Sequence, residues 1–252
     1  MKVFITGVSE GIGRELVKNL TRAGHDVWGI ARRKELLTEL QFEIGDKFLF
    51  SVCDVTDERA VTDTIRQMRE KHFLPDVAVL SAVIFGNDLH PNYRHDVFQN
   101  AFAVNVFGAL TWVDKLLPEF ITRGSGRFIA MSSTSAFRPN AESASLPASK
   151  SALALAFRSL HFRYHNAGIN FKTIYLGPVA TRTMQKWTAD SGKPNRFFVS
   201  TPEAAARFVE KVVYDTSAKT EYWFPFFITL LFRLTLFLPD RLFLFISKIV
   251  GK

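Results

Sequence analysis

The stretch Val3-Phe-Ile-Thr6-Gly7-Val-Ser-Glu-Gly11-Ile-Gly13 constrains this chain more than any other. A short apolar run meets a turn with three glycines, and helical apolar spacing follows at Ile12, Leu16, Val17 and Leu20. Strand, glycine turn and helix in that order let the backbone approach a pyrophosphate, where the helix N-terminus offers free N–H groups and positive dipole. The spacing is Gly-x-x-x-Gly-x-Gly. Candidate contacts in this turn are Thr6, Gly7, Ser9, Glu10, Gly11, Ile12 and Gly13.

Further apolar runs follow at regular intervals: Asp26–Ala31, Phe48–Cys53, Val77–Leu80, Gly126–Met131 and Ile169–Tyr175 read as strands, with Thr220–Phe224 as a candidate last one. Helical segments lie between them, including Glu58–Lys71 capped by Asp57, Phe102–Leu117, Lys150–His165 and a helix opened by Thr201-Pro202-Glu203. Strands alternating with helices imply an α/β fold with a parallel sheet covered on both faces. Arg32 and Arg33 sit just past the second strand, where a dinucleotide's adenosine ribose lands. Arginines there suit a 2′-phosphate, and no acid is present for a free 2′-hydroxyl, so NADP(H) is favoured over NAD(H). His90 and His95 lie in a polar stretch without a Cys/His cluster and read as surface residues, and no metal site is expected. The polar segment Arg182–Ser200 has the length of a lid.

Taken together, Thr6-Gly7-Val-Ser-Glu-Gly11-Ile-Gly13, Asp54, Asn105, Ser133, Ala148-Ser149-Lys150 and Gly177-Pro-Val-Ala-Thr181 resemble the short-chain dehydrogenase/reductase family over roughly residues 1–225. The resemblance implies a Rossmann fold, a doubly wound parallel sheet, and hydride exchange with a carbonyl or alcohol. It places Gly7, Gly11 and Gly13 along the pyrophosphate, Asp54 and Val55 beside the adenine, and Ser81 and Ala82 near the cofactor. Lys150 would hold the nicotinamide ribose, and Gly177, Val179 and Thr181 the nicotinamide end. Ser133 would polarise the substrate oxygen, and Asn105 would hold a water linking Lys150 to solvent.

Two positions depart from the family pattern. Its Asn-Asn-Ala-Gly is here Leu80-Ser-Ala-Val83, and its tyrosine, four residues before the lysine, is Leu146. The tyrosine would donate a proton to the carbonyl; leucine has none. Among nearby hydroxyls, Ser143 and Ser145 are poor acids and Tyr175 reads as a packed residue. A water held by Asn105 and Lys150 is the better substitute. A protein that keeps NADP(H) without turnover is the rival reading.

Residues 226–252 form a separate tail. Phe226–Leu238 is almost wholly apolar, Pro239 interrupts it, and Asp240–Val250 continues with Arg241 and Lys248 seven apart. Neither piece reaches the roughly 20 residues that span a bilayer, which suits helices lying in a membrane interface. The other readings are a dimer contact or a flap over the substrate pocket. The net charge of +8 admits an anionic partner such as a phosphorylated cofactor or an acidic membrane, and no nucleic-acid partner is expected. A lone Cys53 excludes an intrachain disulfide and fits a reducing compartment. No signal peptide is visible. The expectation is a cytoplasmic homo-oligomer, peripheral on a membrane, acting on an apolar or lipid-like substrate.

Overall fold

The apolar runs become strands whose side chains alternate between two buried layers. In β1 (Lys2–Thr6), Val3 and Ile5 enter one core while Phe4 enters the other. In the computed structural model, β1 joins β2 (Asp26–Ala31), β3 (Phe48–Val52), β4 (Val77–Leu80), β5 (Gly126–Ser133), β6 (Ile169–Leu176) and β7 (Glu221–Phe224). They form one seven-stranded sheet in the order β3-β2-β1-β4-β5-β6-β7, parallel throughout. This is a single-domain Rossmann-like α/β fold. The structure describes residues 1–89, 91–182, 184 and 199–250, with backbone alone at 246–250. His90 and most of the segment expected as a lid lie outside the described residues.

Amphipathic helices close both faces. Leu16 and Leu20 of α1 (Gly11–Arg22), Leu37 and Leu40 of α2 (Lys34–Ile44) and Val209 of α7 (Pro202–Tyr214) share one core. Val61 of α3 (Glu58–Glu70), Trp112 and Phe120 of α5 (Ala109–Arg123) and Phe157 of α6 (Ser145–Tyr164) share the other with Phe128 and Phe171. The expected caps form. Asp57 accepts the Arg59 and Ala60 amides at 2.9 and 3.2 Å, and Thr201 accepts the Ala204 amide ahead of Pro202.

Two boundaries differ from the sequence expectation. The helix expected over Phe102–Leu117 starts earlier as α4 (His95–Phe102), widens into a π-helical turn (Ala103–Gly108), then continues as α5. The turn packs on the loop after β3: a Cβ on Gly108 would stand 2.6 Å from Val55 Cγ2. The helix expected from Lys150 begins at Ser145, so Leu146 lies in its first turn.

The tail folds as α8 (Phe226–Leu234), a 3-10 turn (Thr235–Phe237) and α9 (Asp240–Val250). Arg138, from the loop after β5, fastens it. Its guanidinium donates to Thr235 Oγ1 at 3.2 Å, Leu238 O at 2.6 Å and Asp240 Oδ1 at 2.6 Å, and lies over the Phe243 ring. Among the described residues, no helix is long and apolar enough to cross a membrane.

Candidate functional site

In a parallel sheet all strand C-termini share one edge, and a crevice opens where the strand order reverses, here between β1 and β4. Thr6 Oγ1 ties the two strand ends, accepting the Ser81 and Ala82 amides at 2.9 Å each. The glycines are required there. Gly7 has φ +77°, and a Cβ on it would lie 2.9 Å from Ala82 Cα; one on Gly13 would lie 2.4 Å from Gly7 O. Gly11, at φ +63°, faces the other wall, where a Cβ would meet Thr181 Cγ2 at 3.2 Å. No side chain caps the N-terminus of α1, so its first amides stay available to an anion. This backbone-lined turn fits a pyrophosphate.

The end of β2 supplies positive charge. Arg33 donates to Ser9 Oγ at 2.7 Å and to Glu10 Oε2 at 3.1 Å, which holds its guanidinium beside the glycine turn. Exposed Arg32 pairs with Asp54 at 3.6 Å. Burial works to raise the Asp54 pKa, but hydrogen bonds from the Thr56 amide and hydroxyl and the charge of Arg32 outweigh it and hold the pKa low. Val55 is buried against the π-helical turn.

On the other side of the crevice lie the residues expected around the reacting atoms. Ser133 ends β5, half-buried, and its Oγ accepts the Ser135 amide at 3.2 Å, which leaves the hydroxyl proton free of that bond. Lys150 is buried and donates to Met131 O at 2.6 Å; burial lowers its pKa to about 8. Asn105 is buried as well. Its amide nitrogen donates to Ile84 O at 2.9 Å and Ser149 Oγ at 3.1 Å, and its Oδ1 accepts the Ile84 amide at 2.9 Å. The Asn105 side chain thus braces the β4 loop against α6. Leu146 is half-buried. Gly177 and Val179 are buried, Gly177 donating to Phe224 O and Val179 bridging to Ser200.

One cluster has no counterpart in the sequence reading. Asp88, fully buried in the loop after β4, accepts Ser143 Oγ at 2.6 Å and Ser145 Oγ at 2.7 Å, with the Ala144 and Ser145 amides at 3.2 and 3.1 Å. It therefore caps α6 from another element. Burial pushes its pKa up, but the hydrogen bonds from Ser143 and Ser145 outweigh this and hold the carboxyl below its ordinary range. The buried Ser143 and Ser145 hydroxyls are committed to this carboxylate. Tyr175 is committed too: its hydroxyl donates to Glu221 Oε1 at 3.1 Å, and burial together with the Glu221 charge raises its pKa. Asp88 reads as one polar residue in a polar loop, and its partners are over fifty positions away.

A family model described as short chain dehydrogenase matches residues 1–192. Among curated relatives, the benzil reductase ((S)-benzoin forming) of Saccharomyces cerevisiae is 30% identical, over 86% of this chain and 83% of its own. The NADPH-dependent pterin aldehyde reductase of Arabidopsis thaliana is 34% identical over 52% of this chain and 55% of its own, so this chain spans about half of that protein. Among solved structures, the closed form of a serine dehydrogenase complexed with NADP+ superposes with a TM-score of 0.81 at 23% identity, covering 88% of this chain and 94% of that one.

Proposed function

Because the chain belongs to the short-chain dehydrogenase family, we propose that it binds NADP(H) and exchanges hydride with a carbonyl or alcohol on an apolar substrate, with proton transfer impaired at Leu146. The glycine turn, the uncapped start of α1 and the Arg33–Ser9–Glu10 contact support the cofactor assignment. The NADPH named for the Arabidopsis relative and the NADP+ named for the solved serine dehydrogenase agree with it. When bound, the nicotinamide supplies or accepts the hydride. Ser133 donates its hydroxyl proton to the substrate oxygen as a hydrogen bond, and Lys150 holds the ribose.

Leu146 carries the altered part of the reading. The family pattern puts a tyrosine at that position, and a positioned general acid is worth roughly 10²–10⁴-fold in rate. Ser143, Ser145 and Tyr175 have their hydroxyls committed elsewhere. The route that remains is water against Lys150, whose lowered pKa eases proton release. Positioning and oxyanion polarisation by Ser133 still accelerate the reaction.

The test is NADPH-dependent reduction of a carbonyl panel by the wild type and by Leu146→Tyr. The tyrosine variant should be faster by at least about tenfold, a low share of the general-acid range. Equal rates would sink the assignment of Leu146 as the missing acid. The committed hydroxyls of Ser143, Ser145 and Tyr175 also favour a second reading, an NADP(H)-binding protein without turnover. Tight NADPH binding with no oxidation across the panel selects it. We place the protein in the cytoplasm, with the tail of residues 226–252 at a membrane surface. The exposed apolar Ile121 on α5 and Leu155 and Phe162 on α6 support a homo-oligomer.

A further inference from the structure

The tail is not a loose appendage. Thr229 of α8 is fully buried, Arg233 donates to Glu221 at 2.6 Å, and buried Arg138 grips the 3-10 turn and the start of α9. Held in this way, the tail turns a dense apolar face outward. Phe227, Phe237 and Phe245 are 81, 86 and 63% exposed, and Leu231, Leu234 and Leu242 are exposed among them. Ion pairing and hydrogen bonding fix the backbone on one side while large apolar groups meet solvent on the other. Exposed apolar groups gathered in this way mark an interaction surface.

Three observations select its occupant. The helices are too short to cross a bilayer, yet their outer face is apolar, the arrangement of a helix lying in the headgroup layer. The charge balance is positive: Asp240 is neutralised by Arg138 and Glu221 by Arg233, while Arg241 is exposed and the chain carries +8. Exposed apolar side chains also lie outside the tail, at Ile121 on α5 and at Leu155 and Phe162 on α6, so a second copy does not need this face.

We propose that the outer face of α8, the 3-10 turn and α9 docks in the headgroup layer of an anionic bilayer without spanning it. This rests on the reading of an apolar substrate and a membrane-side tail. It adds the face that docks, the depth and the charge of the lipid. A substrate dissolved in that layer would reach the protein on the side that Arg138 ties to the loop after Ser133.

The test is co-sedimentation of the full-length protein with phosphatidylcholine vesicles, and with vesicles carrying about one-third phosphatidylserine, at 0.1 M salt. Wild type should pellet with the mixed vesicles, with a partition coefficient about fivefold above that for phosphatidylcholine alone, the effect of one basic residue at an anionic surface. Phe227→Glu/Phe237→Glu should lower partitioning at least tenfold, with NADPH affinity unchanged as the measure of an intact fold. Leu231→Glu/Phe245→Glu provides a second variant on the same face. Wild type left in the supernatant, or variants that pellet like wild type, overturns the proposal. Equal binding to the two vesicles overturns its anionic part. No vesicle binding combined with a dimer that the glutamates dissociate in sedimentation velocity would assign the face to a second copy instead. Failure of wild type to bind NADPH would sink the functional reading and leave the vesicle result standing.

Discussion

At the scale of single residues, groups on both the cofactor side and the acid side of the crevice are already engaged by neighbours. Arg33 is held by Ser9 and Glu10 at the end of β2, where an adenosine 2′-phosphate would lie. Replacing Arg32 and Arg33 by alanine should weaken NADPH binding at least about tenfold, the scale of one charge-assisted hydrogen bond, while NADH affinity stays within about threefold. Fluorescence titration with both nucleotides measures this, and an unchanged ratio would remove the 2′-phosphate assignment. On the acid side, the hydroxyls of Ser143, Ser145 and Tyr175 already have carboxylate acceptors. Placing a phenol at position 146 therefore adds an acid that none of these three hydroxyls supplies.

At the scale of elements, α6 is positioned from outside its own sequence. Its N-cap residue, Ala144, contributes no side-chain hydrogen bond, and Asp88 fills that role from the β4 loop. Asp88→Ala would leave two buried hydroxyls and two amides without their acceptor. It should cost at least about 2 kcal/mol in urea denaturation, since buried groups left unpaired lose that order of free energy. A loss under about 0.5 kcal/mol would show that water or a neighbour takes over. This cap also explains what the sequence left illegible. The strands were legible because each is a short apolar run between turns, and the Asp57 and Thr201 caps because donor and acceptor sit within three residues. The start of α6 was not, because its cap lies 55 to 57 positions upstream. The π-helical turn was not either, since it answers to packing of Gly108 on Val55 rather than to local propensity. For the site, the glycine turn and Arg33 could be named as candidates from their order along the chain, and Ser133 and Lys150 from the family resemblance, whereas the use of Asn105 as a brace depended on tertiary contacts.

At the scale of the whole molecule, two buried lysines link stability to pH. Burial lowers the pKa of Lys150 to about 8, and that of Lys172 to about 8 with smaller effects from the charges around it. Lys172 donates to Ser217 O, Lys219 O and Tyr222 Oη, fastening β7 to β6. Between pH 8 and the ordinary lysine value of 10.5, the unfolded chain holds protons that the folded chain has shed. Stability from these groups therefore rises with pH across that window and is lost as pH falls through 8. Denaturation of wild type and Lys150→Met should show a stability difference that shifts in favour of wild type from pH 8 to 10.5; a flat difference would contradict the lowered pKa. A different kind of linkage runs through Arg138, whose guanidinium spans from the loop after Ser133 to the tail. If occupancy of the crevice and seating of the tail favour different settings of that loop, thermodynamic reciprocity follows. Whatever factor cofactor or substrate imposes on the tail's affinity for its surface, that surface must impose on theirs.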